Sequence, residues 1–375
     1  MSNEFQEKTH ETEQHKVNCK DCGALLEYNP GTMNLTCQYC GAQNEIQEDI
    51  KPVATVENDF HAFLAGAESK ADTMDVATVK CDNCGASTTL RPNVTADTCP
   101  FCSTALIIKG GTTSHIVKPK YLLPFSIDKK KGVEEFKKWL KGLWFAPGDL
   151  KHFAENDKLK GLYIPYWTYD SNTISHYTGM RGDAYYVSES YTTTVNGKTE
   201  TRTRQVRKIR WTPVSGTVYE NFDDVLVMAS HSLPDEYANK LEPWDLGNLT
   251  DFKEQFLSGF VAEKYQIDVK EGFEKAKVRM DDEIRSSCRR DIGGDEQQVL
   301  SVSTQYNDIT FKHILLPIWL SAYKYKDKVY RFMINGRTGE VQGERPYSAW
   351  KIFFFVLSIL AVIGGGIYLY MQNKK

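Results

Sequence analysis

The sequence predicts an α+β protein: two small cysteine-knuckled β modules, then a mixed α+β domain with long β-hairpins, then a C-terminal apolar helix. Three observations carry that prediction. Eight of the nine cysteines fall into four C-x2-C pairs, alternating and helical periodicities follow one another between residues 120 and 347, and a twenty-residue uncharged run lies near the C-terminus. The 375 residues, 41% apolar and 25% charged, fit two or three folded units and exclude a mostly disordered or multi-span membrane chain. A net charge of −3 excludes a surface that is basic throughout.

Residues 1–16 are polar and acidic, with no apolar core, and read as a disordered lead-in rather than a secretory signal. The cysteines follow. Cys19 and Cys22 are separated by fourteen residues from Cys37 and Cys40. Cys81, Cys84, Cys99 and Cys102 repeat that pattern 62 positions later, the mark of a duplicated unit. Each set matches a tetrahedral structural Zn2+ site: two thiolates on one tight turn bite the ion, and a second turn brought up by a hairpin closes the shell. Two zinc ribbons, over 17–49 and 79–109, and two structural zinc ions are therefore expected. Gly23, Gly41 and Gly85 follow three of the pairs, where the chain must turn sharply; Ser103 takes that place in the fourth. The spacers read as β-hairpins, turning at Asn29-Pro30-Gly31 and at Arg91-Pro92-Asn93. Disulfides would need an oxidising compartment.

Charge bears on what the ribbons meet. The first carries Lys20 against Asp21, Glu27, Glu45, Glu48 and Asp49; the second carries Lys80, Arg91 and Lys109 against Asp82 and Asp97. Neither is a basic platform for phosphate, so the expectation is that their hairpins dock a protein partner. Residues 50–78 read as a linker with a short helix over 60–67.

Residues 120–347 read as one α+β domain. An amphipathic helix over 131–144 places Val133, Phe136, Leu140 and Leu143 on one stripe. Residues 161–170 look like a buried strand. Residues 185–195 and 198–211 alternate on either side of Asn196-Gly197, a hairpin turn. Two helices are predicted next: one from Phe252, Phe256 and Phe260 at i+4 spacing, the other from Val269, Phe273, Ala276, Met280 and Ile284, ending before Gly293-Gly294. Strands over 298–306, 310–325 and 329–334 close the domain. The Pro-aromatic segments at Pro124, Pro165 and Pro317 read as core packing.

Arg202, Arg204, Arg207, Lys208 and Arg210 crowd the second strand of that hairpin. They read either as a solvated edge that blocks aggregation or as a contact for anionic lipid or nucleic acid. No catalytic motif emerges. Gly197-Lys198-Thr199 sits in a hairpin turn, with Thr192 where a P-loop needs its first Gly; Cys288 reads as core, and Asp223-Asp224 as a turn. The chain is expected not to be an enzyme.

From Ile352 to Met371 the sequence IFFFVLSILAVIGGGIYLYM carries no charge. At ~1.5 Å per residue it covers about 30 Å, the thickness of a bilayer core. Trp350, Lys351, Tyr368 and Tyr370 flank it as interfacial residues do. A transmembrane helix over 350–371, with the preceding domains in the cytoplasm, makes the expected protein tail-anchored in the cell membrane by a single pass.

The two ribbons, together with 121–127 (YLLPFSI), 163–170 (YIPYWTYD), 316–320 (LPIWL) and 333–340 (MINGRTGE), resemble bacterial membrane-anchored double zinc-ribbon proteins, some encoded in phage-shock-type envelope-stress operons. Similar chains are often labelled primosomal or replicative helicase-like; the nucleotide-binding residues such a label needs are missing here. The resemblance implies a non-enzymatic docking or recruitment platform at the cytosolic membrane face. The alternative is a membrane-tethered nucleic-acid-binding protein using the basic strand and the second ribbon.

Overall fold

The long apolar and alternating segments condense into one sheet whose two faces are covered by different parts of the chain. The structure is a computed structural model and describes residues 17–46, 56–66, 73–89, 96–107, 112–147, 159–195, 198–325 and 328–372. The predicted lead-in over 1–16 and the turns at 91–93 and 196–197 lie outside them.

The first ribbon is β1 (Leu26–Tyr28), β2 (Asn34–Cys37) and β3 (Gln43–Glu45), an antiparallel sheet in that order. The expected linker contains β4 (Asn58–Asp59), α1 (Phe60–Leu64) and the start of β5 (Thr73–Lys80). β5 pairs with β6 (Ser87–Thr89), and β7 (Ala96–Thr98) with β8 (Ala105–Ile107); β9 (Thr112–Val117) covers the free edge of β5. The second ribbon therefore borrows a strand from each side of its predicted limits.

The body contains β10 (Tyr121–Leu122), α2 (Lys129–Gly142), β11 (Lys160–Val195), β12 (Lys198–Met228), α3 (Asp235–Asn239), β13 (Thr250–Asp251), β14 (Val261–Ala262), α4 (Val269–Ile292), β15 (Glu296–Tyr325), β16 (Lys328–Asn335) and β17 (Val341–Gly343). α5 (Ala349–Gln372) ends the described chain. The sheet path is β12-β11-β15-β10-β13; β14 joins β11, β16 and β17 extend from β15, and β4 also pairs with β15.

Two predictions are corrected here. The i+4 phenylalanines form no α-helix: a 3-10 turn over Glu254–Leu257 stands between β13 and β14, and Gly259 at φ +87° turns the chain. The rings still converge, because Phe256 is fully buried and Phe252 and Phe260 pack on the same cluster. The strands are also far longer than their local alternation shows. β11 and β12 pair without interruption, apart from one bulge, from Tyr166↔Met228 to Val195↔Lys198. The two strands predicted over 298–325 are one, bent where Asp308 takes φ +51°. β15 follows β11 only as far as Gly182↔Glu296. Beyond that pair the sheet narrows to a two-stranded ribbon, which at ~3.4 Å per residue extends about 40 Å to residue 195.

Why the run from 161 to 170 reads as continuously apolar is now plain. Successive side chains of a strand point to opposite faces. Leu162, Ile164 and Tyr166 meet Ile314, Leu316 and Ile318 in a cluster that includes Cys81, Cys99, Phe101 and Leu106 of the second ribbon. Tyr163, Leu315 and Trp319 face the other way, into a cluster with Leu26, Tyr28, Leu35 and Cys37 of the first ribbon and Phe136 of α2. Further along that side, Trp167, Tyr169 and Phe311 pack under α1 and α4. The predicted stripe of α4 (Val269, Phe273, Ala276, Met280, Ile284) is buried throughout, as is Cys288. Gly272 permits the close approach: a Cβ there would stand 2.9 Å from the Trp167 ring.

Candidate metal centres

Each ribbon brings four sulfurs together. Sγ–Sγ distances are 3.5 Å for Cys19–Cys40 and for Cys22–Cys37, 3.7 Å for Cys81–Cys102 and 3.6 Å for Cys84–Cys99. A disulfide would be about 2.05 Å. A tetrahedron with Zn–S bonds of about 2.3 Å has S···S edges of about 3.8 Å, so the spacing fits thiolates around one ion. In both sets all four sulfurs lie within 4.8 Å of one another. Two four-cysteine clusters are thus arranged to bind two structural metal ions, consistent with zinc.

The knuckles explain the residues that follow each pair. Gly23, Gly41 and Gly85 have φ near +75°, and each returns its N–H to the carbonyl of Cys19, Cys37 or Cys81 at 2.8–2.9 Å. Ser103 makes the same turn at φ +60°, donating its N–H to the Cys99 carbonyl at 2.9 Å and its hydroxyl to the Ala322 carbonyl at 3.1 Å. Without a cation the four thiols of the first cluster cannot ionise together. The Cys40 N–H and the other donors around Cys37 draw its thiol down to about 6. Cys40 is lowered by the Ala42 N–H, yet Cys22, Cys19 and Cys37 beside it raise it to about 12. A divalent ion removes that conflict.

The two centres differ in access. Cys22 and Cys40 of the first are exposed; in the second only Cys84 is even half-buried and the rest are buried. Described residues of both ribbons are also bonded to the body. Tyr28 donates its N–H to the Ser258 carbonyl and its hydroxyl to the Phe125 carbonyl, and Gly31 bonds Phe125 as well. On the opposite face, Lys264 N–H donates to Ser87, Ala262 N–H to Thr89 Oγ1, and Arg331 Nε to Phe101.

The basic strand residues sit on the two-stranded ribbon. Opposite residues of an antiparallel pair share a face, so Arg202 with Tyr191, Arg204 with Glu189, Lys208 with Tyr185 and Arg210 with Asp183 form one face, and Arg207 with Tyr186 the other. Four of the five cations have acidic neighbours: Arg202–Glu200 at 3.1 Å, Arg204–Glu189 at 3.7 Å, Lys208–Glu189 at 3.0 Å and Arg207–Glu296 at 2.7 Å. Arg204 also lies over the Tyr191 ring.

One constellation escaped the sequence. Lys312, 2% exposed, lies 2.9 Å from Glu57 and 2.6 Å from Asp224. Thr310 donates to Glu57 and Asp170, and Asp170 accepts the Asp224 N–H at 2.6 Å. Asp223-Asp224 is thus a bulge inside β12, with Asp224 at φ +54°, and not a turn between elements. Glu57, Asp170 and Asp223 come close enough to hold a metal, but the Lys312 ammonium is already the cation among these carboxylates. A lysine inside the apolar run 309–320 was the available signal.

Fold and site together define a two-centre, zinc-ribbon-like protein with a C-terminal helix of membrane-spanning length (mean hydropathy 2.5, with no part buried). It is similar to a protein of Bacillus subtilis strain 168 described as uncharacterized protein YdjG, 28% identical over 369 residues, which span 93% of this chain and 98% of the relative. No protein-family description and no solved structure matches.

Proposed function

We propose that this is a non-enzymatic docking platform, anchored in the cell membrane by α5 with its other domains in the cytoplasm, that recruits a protein partner as part of an envelope-stress response. The resemblance to membrane-anchored ribbon proteins of stress operons supports the setting. Eight thiols spaced for metal support a reducing compartment. The observation that carries the docking role is the ribbon beyond Gly182: among the described residues its strands pair only with each other, and it exposes Tyr185, Tyr186 and Tyr191 by 44%, 66% and 41%. A ribbon with no core of its own gains buried surface only from another molecule.

The test joins Asp183 to Arg210 through an Asn-Gly turn, removing the ribbon tip, and compares proteins co-extracted with the full-length and shortened chains. Loss of a specific partner, with zinc and membrane retention unchanged, supports the reading; an unchanged set of partners ends it. The second reading, nucleic-acid binding through Arg202, Arg204, Arg207, Lys208, Arg210 and the second ribbon, is favoured by the aromatic-basic face. It requires salt-sensitive binding of DNA or RNA by the full-length protein, lost when Arg202, Arg204 and Arg207 are neutralised.

A further inference from the structure

The turn that follows α2 makes a second connection between the body and α5. Leu143 caps α2, and the next residues run directly against the first turns of the apolar helix. Lys351 Nζ donates to the Trp144 carbonyl at 3.2 Å and to the Ala146 carbonyl at 2.8 Å. Ser348 N–H donates to the Phe145 carbonyl at 2.8 Å. The Phe145 ring stands edge-on to Phe355, centroids 5.2 Å apart. Counting from Ile352, where the uncharged run begins, Phe355 lies about 4.5 Å along the helix, inside the apolar region. With α5 read as a membrane span, this contact sets Phe145 at acyl-chain depth. Trp144 beside it is 76% exposed, although a soluble surface would gain nothing from a bare indole there. Trp350 and Tyr347, exposed by 72% and 59%, surround the same level.

We propose that the Trp144–Phe145 turn is an interfacial membrane contact: a second element that enters the phospholipid headgroup boundary beside the spanning helix and seats the end of α2 on an anionic bilayer. The proposal rests on the reading of α5 as a transmembrane anchor. Indoles favour that boundary because the ring is apolar and its N–H can still reach water or lipid esters. Charge agrees. Lys137 and Lys141 are exposed on the last turns of α2, at i and i+4, with Trp144 at i+7, and neither forms an ion pair among the described residues. Their ammonium groups would face lipid phosphates, and Lys351 snorkels back to the turn it holds. Two attachment points, unlike a single flexible stem, fix the orientation of the body above the membrane. The basic ribbon strand begins at the opposite end of β11 from this contact, so lipid binding is assigned to α2 and its following turn rather than to Arg202–Arg210.

The experiment uses the full-length protein in vesicles containing anionic phospholipid with bromine atoms at a shallow acyl position, and reads tryptophan emission. Retention through an alkaline carbonate wash first establishes the anchor; release would refute the anchor and this proposal together. With the anchor in place, Trp144→Phe should lower the bromine-quenched emission by about half, since Trp144 and Trp350 are the two indoles expected at the interface. Trp211→Phe, on the ribbon beside Arg210, should leave it unchanged. Undiminished quenching in Trp144→Phe overturns the proposal while the anchor stands. Loss of quenching in Trp211→Phe instead would mean that the ribbon lies on the bilayer, and overturns it equally.

Discussion

Arg331 donates its Nε–H to the carbonyl oxygen of Phe101 at 2.7 Å, so the knuckle between the last two cysteines of the second centre is bonded to a strand of the body sheet. Phe101 itself is fully buried and belongs to the cluster that holds Leu162, Ile164 and Leu316. An ion held by this cluster would therefore do more than close a small ribbon: it would fix the backbone turn that inserts a core aromatic into the sheet.

The first prediction follows from that insertion. Phe101→Ala should cost about 3–5 kcal/mol, the usual range for emptying a buried aromatic site, and should hasten zinc loss from the second cluster while leaving the first intact. Urea unfolding combined with chromophoric chelator kinetics measures both effects. An unchanged release rate would mean that the knuckle does not depend on its core residue.

The difference in exposure between the centres gives the second. Cys22 and Cys40 are exposed, whereas Cys81, Cys99 and Cys102 are buried. Thiol reagent or strong chelator should remove the two ions in two phases, the fast one abolished in Cys22→Ser and the slow one in Cys84→Ser. Removing the second ion should uncover Phe101 and its neighbours, so the slow phase should coincide with loss of near-ultraviolet circular dichroism. A single phase for both ions would contradict this.

What the sequence reveals and conceals divides along sequence distance. The cysteine spacing, the stripe of α4 and the apolar run of α5 are local patterns, and each is met where it was expected. The continuous length of β11 was hidden because its residues 171–184 mix Tyr, Gly, His and Arg, which is the composition of strand faces that are only partly covered. The ribbons' positions on opposite faces of one sheet depend on the parity of Leu162 and Tyr163, a one-residue distinction that has meaning only once both covers are known. The Lys312 cluster was least legible: Glu57 and Lys312 are 255 positions apart.

That cluster supplies the third prediction. Removing a buried cation leaves its carboxylates uncompensated, so Lys312→Met should cost about 3–5 kcal/mol near neutral pH. Burial and the adjoining Glu57 already raise Asp170 to about 7, while Asp170, Thr310 and Lys312 together hold Glu57 down at about 2 against its own burial. Without the ammonium both carboxyls titrate higher, and protonation relieves their repulsion. The deficit should therefore shrink between pH 7.5 and pH 5, as read from urea midpoints; a deficit independent of pH would show that lost packing, rather than lost charge, is responsible.

The last prediction concerns two buried groups whose effects on stability oppose each other. Glu263 is fully buried; its Oε1 accepts from Ser230 at 2.8 Å, Gln266 at 3.0 Å and Ser232, while Oε2 has no partner among the described residues. Burial outweighs those donors and raises its carboxyl from 4.5 to about 7. Between those values the folded chain binds more protons than the unfolded one, so this group makes stability fall as pH rises, by about 1.4 kcal/mol per pH unit. His313 does the reverse: burial lowers it from 6.5 to about 4, even though the Val117 carbonyl favours its charged form. From about pH 4 to 6.5 the unfolded chain binds the extra proton, and stability rises with pH. The slopes of these two groups oppose each other between pH 4.5 and 6.5, while Asp170, raised from 3.8 to about 7, adds a falling slope of its own over the same range. Glu263→Gln keeps an oxygen for the three donors and removes the falling branch due to Glu263. Its stability relative to the native chain should grow from pH 4.5 to 7, by about 3 kcal/mol in all. Urea denaturation at half-unit intervals would show this, and parallel profiles for the two proteins would mean that Glu263 titrates near its usual value.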